Sequence, residues 1–171
     1  MAILGAILAG GQSRRFGSDK AVAIVDGLPM LTQIQRALAV QVDAVIVCGG
    51  ARPEVDAIPD RPEPGLGPLG GLNAALYYGR EQGYDAVLSV PVDTLPLPVD
   101  LVARLGPGPA AFASQYLIGV WPTDLQPDLD NLLRSGARAV RAWLDVSQCR
   151  LVGEDGLNLR NINRPESGLR D

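Results

Sequence analysis

Alternation is the feature that most constrains the fold. Three short, almost wholly apolar runs, Ala2–Leu8, Ala44–Cys48 and Ala86–Val90, have the length and composition of strands buried on both faces. Between the first two, Pro29 opens a segment in which Leu31, Ile34 and Leu38 recur at helical spacing; between the second and third, Leu69, Leu72 and Leu76 do the same, with Gly83 near the end. Buried strands that alternate with amphipathic helices predict a parallel sheet with right-handed crossovers and helices on both faces. The expected class is therefore α/β, a Rossmann-like three-layer sandwich with a mostly parallel sheet. At 171 residues the chain is read as one domain, 1–171. Sheets of this kind bind ligands beyond the carboxyl ends of their strands. Gly10, Cys48 and Asp93 all fall at such ends.

The remaining segments are less regular. Ala21–Val25 is short and apolar, and Asp26-Gly27 closes it as a turn. Arg52–Pro68 is rich in proline and glycine and reads as an ordered loop around a short strand near Ala57–Ile58. A helix is expected from about Pro98 to Leu105, with Gly106 past its end. Ala110–Ser114 and Tyr116–Trp121 read as two short strands. Leu125, Leu129, Leu132 and Leu133 mark a helix that stops near Ser135-Gly136; Ala139, Val140, Trp143 and Leu144 mark another, carrying Arg138 and Arg141. Leu157–Ile162 reads as a final strand.

Composition removes several kinds of function. With 19 acidic and 15 basic side chains the formal net charge is −4, which disfavours nucleic acid as the main partner. The apolar N-terminal run lacks a positive flank and is too short to span a bilayer, and no later run reaches that length, so a soluble cytoplasmic protein without a membrane partner is expected. Cys48 and Cys149 make neither a disulfide framework nor a zinc spacing. Histidine is absent. Ser-His-Asp and Cys-His catalysis are excluded with it, as are imidazole metal ligands. Catalysis must rest on carboxylates, cations, backbone amides and a hard, oxygen-bound metal.

The residues best suited to such chemistry lie at the predicted strand ends. Leu8-Ala9-Gly10-Gly11-Gln12-Ser13-Arg14-Arg15-Phe16-Gly17-Ser18-Asp19-Lys20 joins a strand end to paired glycines and three cations. Glycines let the backbone turn close to a ligand, and amides in such a turn form an anion-binding nest. This composition suits a polyphosphate, although a βα turn with a solvated basic patch has the same look. Neither G-x-x-x-x-G-K-[ST] nor G-x-G-x-x-G is present. Asp93, just past a strand and bracketed by prolines, is a candidate ligand for magnesium, which needs only one or two protein carboxylates beside phosphates and water; it can equally cap the following turn. Asp60 can accept from a ribose or base, or cap a proline-rich turn. Asn161 and Asn163, two apart, share a face if their segment is extended.

Four stretches carry a family resemblance. The Leu8–Lys20 loop resembles the signature L-A-G-G-x-S-x-R-[MF]-G-x-D-K of the molybdenum cofactor guanylyltransferases. Gly67-Pro68-Leu69-Gly70-Gly71 is similar to their G-P-L-A-G, Val92–Pro98 to their C-D-T-P-x-[LI]-P, and Asn161–Glu166 to their N-[IV]-N-T-P-E. The four occur in the family's order and span residues 8 to 166. The resemblance implies the nucleotide-diphospho-sugar transferase type of α/β fold, with a nucleotide half over about residues 1–105 and an acceptor half over about 106–171. It implies backbone contacts to GTP from Leu8, Ala9 and Gly10, with Lys20 on the phosphates and Asp60 on the nucleoside side; the chemistry of the loop adds the Gly11 amide and Arg15 to the phosphate contacts. It also implies Mg²⁺ on Asp93, and Asn161 and Asn163 on the pterin side of a molybdopterin acceptor.

The implied reaction transfers GMP from GTP to the terminal phosphate of molybdopterin, with Arg15, Lys20 and Asp93 as the catalytic group. Proteins that deliver the pterin or receive the finished cofactor are further implied partners. The chain departs from the family pattern at Cys48 (often asparagine), at Gln115-Tyr116 (a His-Pro pair in many members) and at Arg164 (usually threonine). Two alternatives stand beside this reading: cytidylyl transfer to molybdopterin or another phosphorylated acceptor, and a non-catalytic nucleotide-binding module.

Overall fold

The structure, a computed structural model, describes residues 1–9, 23–49 and 57–162. The apolar runs form the expected strands, β1 (Ile3–Leu8), β4 (Ala44–Cys48) and β6 (Ala86–Pro91). Between them lie a small hairpin of β2 (Ile24–Val25) and β3 (Leu28–Pro29), then α1 (Met30–Ala39), β5 (Ala57–Ile58) and α2 (Pro68–Glu81). Beyond β6 come β7 (Thr94–Leu95), α3 (Leu101–Leu105), β8 (Ala110–Phe112), β9 (Gly119–Pro122), α4 (Gln126–Arg134), α5 (Val140–Val146), β10 (Arg150–Val152) and β11 (Arg160–Asn161).

Seven strands make the central sheet in the order β10-β8-β9-β6-β1-β4-β5. β1 pairs in parallel with both β4 and β6, and only β9 runs against its neighbours. Period-two alternation sends Ile3 and Ile7 to one face, against Ile34, Leu38 and Leu101, and Leu4, Ala6 and Leu8 to the other, against Leu69, Leu72 and Leu76. Trp121 and Trp143 enlarge the second core, their ring centroids 5.8 Å apart. The three-layer α/β architecture read from the alternation is the one observed.

Among the differences from the sequence reading, which include a strand β9 that starts at Gly119 and not at Tyr116, three have a visible cause. α3 begins at Leu101, three residues after Pro98, because Gln41 occupies its start: the Gln41 amide donates to Pro98 O at 3.0 Å and accepts from Val102 N at 3.2 Å. The helix is thus capped by a side chain from a distant loop. The expected strand Leu157–Ile162 shrinks to β11, because its partner β7 is two residues long and is followed by Pro96, which has no N–H to donate. β10 was not anticipated. It is a three-residue edge strand with Arg150 and Leu151 exposed, so it lacks the apolar signature of the buried strands.

Gly119 shows how closely the antiparallel strand is packed. A methyl there would lie 2.6 Å from the Trp121 ring and 2.8 Å from Ala110 O. A backbone carbonyl in a ladder cannot retreat. Gly119→Ala should cost about 1–3 kcal/mol in denaturant unfolding, and a loss within error of zero would contradict this packing.

Candidate functional site

Parallel register sets Leu8, Cys48 and Pro91 side by side at the carboxyl edge of the sheet. The ladder continues one step further on each side, with Ala9 N donating to Cys48 O at 2.8 Å and Val92 N to Leu8 O at 3.2 Å. Leu8 and Ala9 therefore fix the height at which the chain leaves the sheet. Gly10, Gly11, Arg15, Lys20 and Asn163 lie outside the described residues.

On the α2 side of this edge, Asp60 caps the proline-rich turn, one of the two readings its sequence position offers. One carboxylate oxygen, Oδ2, accepts from Leu66 N at 3.2 Å and so closes the proline-rich turn. The other, Oδ1, is buried without a hydrogen-bond partner among the described residues. A methyl on Gly71 would sit 3.5 Å from Leu8 Cδ2, 3.6 Å from Cys48 Cβ and 3.8 Å from Asp60 Oδ1, so those three residues converge on one face of α2. Gly70 is tighter still: a methyl there would come within 2.9 Å of Asp60 Oδ2. The Gly70-Gly71 pair lets the helix approach the carboxylate.

The environment of Asp60 disfavours its charge. Burial raises its pKa, and the amides of Leu66 and Gly65 offset this only in part. Cys48, buried beside it, is pushed up to about 12 by burial and by the Asp60 charge. It is a neutral thiol at physiological pH. Arg61 anchors the same turn, its guanidinium stacked 3.6 Å over the Tyr77 ring. Asp130 on α4 faces Arg61 electrostatically: burial raises its pKa, but bonds from Arg134 and Asn73 outweigh this and hold it below the usual range.

Across the sheet edge, Asp93 and Asn161 line a cavity of about 290 Å³ with Pro91, Gln115, Tyr116 and Val140. β11 is held there because Ile162 N donates to Asp93 O and the β11–β7 ladder brackets it. The Thr94 hydroxyl lies 3.0 Å from Asn161 Oδ1 and 3.5 Å from Asp93 Oδ1. It has one hydrogen and favours the nearer oxygen. The Ser114–Leu117 turn is fixed from below: Ser89 Oγ donates to Leu117 O at 2.7 Å and accepts from Trp121 Nε1 at 2.8 Å. Glu154 binds the Ser114 amide at 3.2 Å and also its hydroxyl.

The structure thus brings Leu8, Ala9 and Asp60 to one station and Asp93 and Asn161 to another. The Glu154 and Ser89 supports left no mark in the sequence; they are isolated polar residues whose partners are distant in the chain.

Residues 5–151 match the MobA-like NTP transferase domain family. The chain belongs to that family. It is 37% identical over 151 residues to a molybdenum cofactor guanylyltransferase from Rhodobacter capsulatus, covering 82% of this chain and 79% of the relative. It is 36% identical over 138 residues to the enzyme so named from Acidiphilium cryptum, covering 74% and 70%. Its fold is similar to that of a molybdopterin-guanine dinucleotide biosynthesis protein A from Archaeoglobus fulgidus, with a TM-score of 0.69, 15% identity, and 88% and 83% of the two chains covered. No helix among the described residues is long and apolar enough to cross a membrane.

Asp60 gives a prediction with a worked sign. The folded chain holds the Asp60 proton to higher pH than the unfolded chain, so stability falls as pH rises from the ordinary value of 3.8 through the raised native one. Asp60→Asn removes that loss and keeps an oxygen for Leu66 N. The variant should melt above the wild type at pH 7, with the gap closing as pH falls towards 3.8. A gap that is absent at pH 7, or that widens in acid, would contradict the assigned environment.

Proposed function

We propose that this chain is a molybdenum cofactor guanylyltransferase, which transfers GMP from GTP to the terminal phosphate of molybdopterin and releases pyrophosphate. The observation that carries the reading is the pair of stations along one sheet edge. Asp60, Leu8 and Cys48 frame one side and Asp93, Gln115, Tyr116 and Asn161 the other, and family membership supports the choice of substrates. In this reading GTP lies along the first half of the chain, about 1–105, with Leu8, Ala9, Gly10 and Gly11 as its backbone cradle. The acceptor lies against about 106–171, with Asn161 and Asn163 on its pterin side.

The chemistry asks little covalent work of the protein. The acceptor phosphate is already an anionic nucleophile. As its oxygen bonds to the α-phosphorus of GTP, the bond to the β-phosphate oxygen breaks and pyrophosphate leaves with the electron pair. No general base or enzyme-bound intermediate is needed, which fits a chain without histidine. Alignment and charge neutralisation remain. Arg15 and Lys20 meet the phosphates, arginine with a bidentate fork and lysine as a point charge. The Asp60 oxygen that has no partner among the described residues offers an acceptor to the N–H or O–H groups of the nucleoside.

The residues present fit Mg²⁺. Among the described residues no three carboxylates or thiolates come together as a closed metal site, and Asp93 stands at the mouth of the sheet beside an open cavity. That donor set suits an ion that takes one protein carboxylate and completes its shell with phosphates and water. When bound, magnesium neutralises phosphate oxygens as charge develops on them. Asp93 is its ligand. The cytoplasm is the proposed compartment, consistent with two cysteines that are both free thiols.

CTP is the rival donor, and a nucleotide panel separates the two. With Mg²⁺ present, GTP should raise the melting temperature more than CTP, UTP or ATP, by mass action. A response to CTP alone would overturn the guanine assignment. With molybdopterin supplied, pyrophosphate release should require GTP and Mg²⁺, and Asp93→Ala should abolish it while the far-UV spectrum is unchanged. Full activity in Asp93→Ala would remove Asp93 from its metal role.

A further inference from the structure

One contact at the Asp93 cavity serves no evident purpose in holding the fold. Arg141, exposed on α5, donates from its Nη2 to the Tyr116 hydroxyl at 2.9 Å, with its guanidinium carbon 5.8 Å from the Tyr116 ring centre. Fixing a long exposed arginine costs rotamer freedom, and surface contacts of this kind return little stability. The turn that carries Tyr116 does not depend on it. Glu154 holds that turn at Ser114, Ser89 holds it at Leu117, and Ile118 N closes it on Gln115 O at 2.9 Å. None of these bonds involves the Tyr116 side chain. What the Arg141 bond does fix is the direction of the ring, and the ring is a wall of the cavity that also holds Asp93 and Asn161.

The other walls say what such a ring would meet. Pro91, Leu117 and Val140 are apolar, while Gln115 and Asn161 carry amides. Asn161 accepts from Thr94, so the group it offers a ligand is its NH₂. Asp93 and Ser114 complete the lining. An aromatic face, apolar sides and two edge-reading amides form a slot for a flat polar heterocycle whose phosphorylated arm points to Asp93.

We propose that Tyr116 is the packing surface for the acceptor's ring and determines acceptor specificity, and that Arg141 is a positioning residue that clamps Tyr116 by its hydroxyl. This rests on the reading above that the acceptor is a phosphorylated pterin. It adds a role for two residues, one of which departs from the family pattern and one of which no motif contains.

The test uses the full chain and Tyr116→Ala, Tyr116→Phe, Arg141→Met and the double variant Tyr116→Phe/Arg141→Met. Molybdopterin binding without nucleotide is followed by fluorescence titration, and KM for each substrate is measured in the pyrophosphate-release assay. Tyr116→Ala should weaken acceptor binding about tenfold. KM for GTP and kcat should stay within about twofold, since the ring makes uniform contact and not one special to the transition state. Tyr116→Phe and Arg141→Met should each weaken acceptor binding about threefold, and the double variant no further, because both break one contact.

Unchanged acceptor affinity in Tyr116→Ala would overturn the proposal. So would a parallel rise in KM for GTP, which would mark a merely structural role, or fully additive losses in the double variant. Wild-type protein that binds molybdopterin but releases no pyrophosphate from GTP would overturn the reaction alone, and the binding titration would still decide the part played by Tyr116. Wild-type protein that binds no molybdopterin would overturn the acceptor and this assignment together.

Discussion

Everything at the candidate site hangs on one strand held between two others. β1 pairs in parallel with β4 on one side and β6 on the other, and its side chains are buried on both faces. Such a strand has no freedom to slip, because a shift of one residue would exchange its two apolar sets between the two helical layers. Its register therefore fixes the height of Cys48 and Pro91 relative to Leu8. The three strand ends form a level edge, and the loops that leave it start from known positions. Packing far from the chemistry sets the geometry of the chemistry.

Along that edge the two carboxylates live under different conditions. Asp60 is wedged between a turn it closes and a helix whose paired glycines allow close approach; one oxygen is satisfied, and the other has no partner among the described residues. Its charge is disfavoured by burial, so the folded chain carries a polar atom that a ligand donor would relieve. Asp93 instead faces an open cavity, and its neighbour Asn161 arrives from β11, far away in sequence. In the proposed reading the first carboxylate serves recognition and the second stands where a phosphate-bridging ion would have room for its water and phosphate ligands. Unsatisfied polar groups at functional positions are a known local cost of readiness for a ligand.

Much of this was legible in the chain. The buried strands announced themselves through apolar runs bounded by glycine and proline, and their boundaries differ from the observed ones by a residue at most for β1, β4 and β6. Asp60 and Asp93 were legible as candidates because each sits in a proline-framed stretch next to a strand. What was hidden depended on partners remote in sequence. Gln41 displaces the start of α3 by occupying it; Glu154 and Ser89 brace the Ser114–Leu117 turn from elements 40 and 28 residues away in the chain. β10 escaped because an exposed edge strand needs no apolar pattern.

By itself, then, the sequence determined the layer architecture and the family, since each depends on local periodicity or on contiguous motifs. Tertiary structure alone decided that Asp60 keeps one oxygen without a partner among the described residues, that Asn161 is brought beside Asp93, and that Arg141 holds Tyr116 at the cavity wall. Those are facts about which distant groups satisfy one another in space. A hydrogen bond between residues 25 or 67 positions apart has no period and no motif, and it exists only once the sheet has brought its ends together.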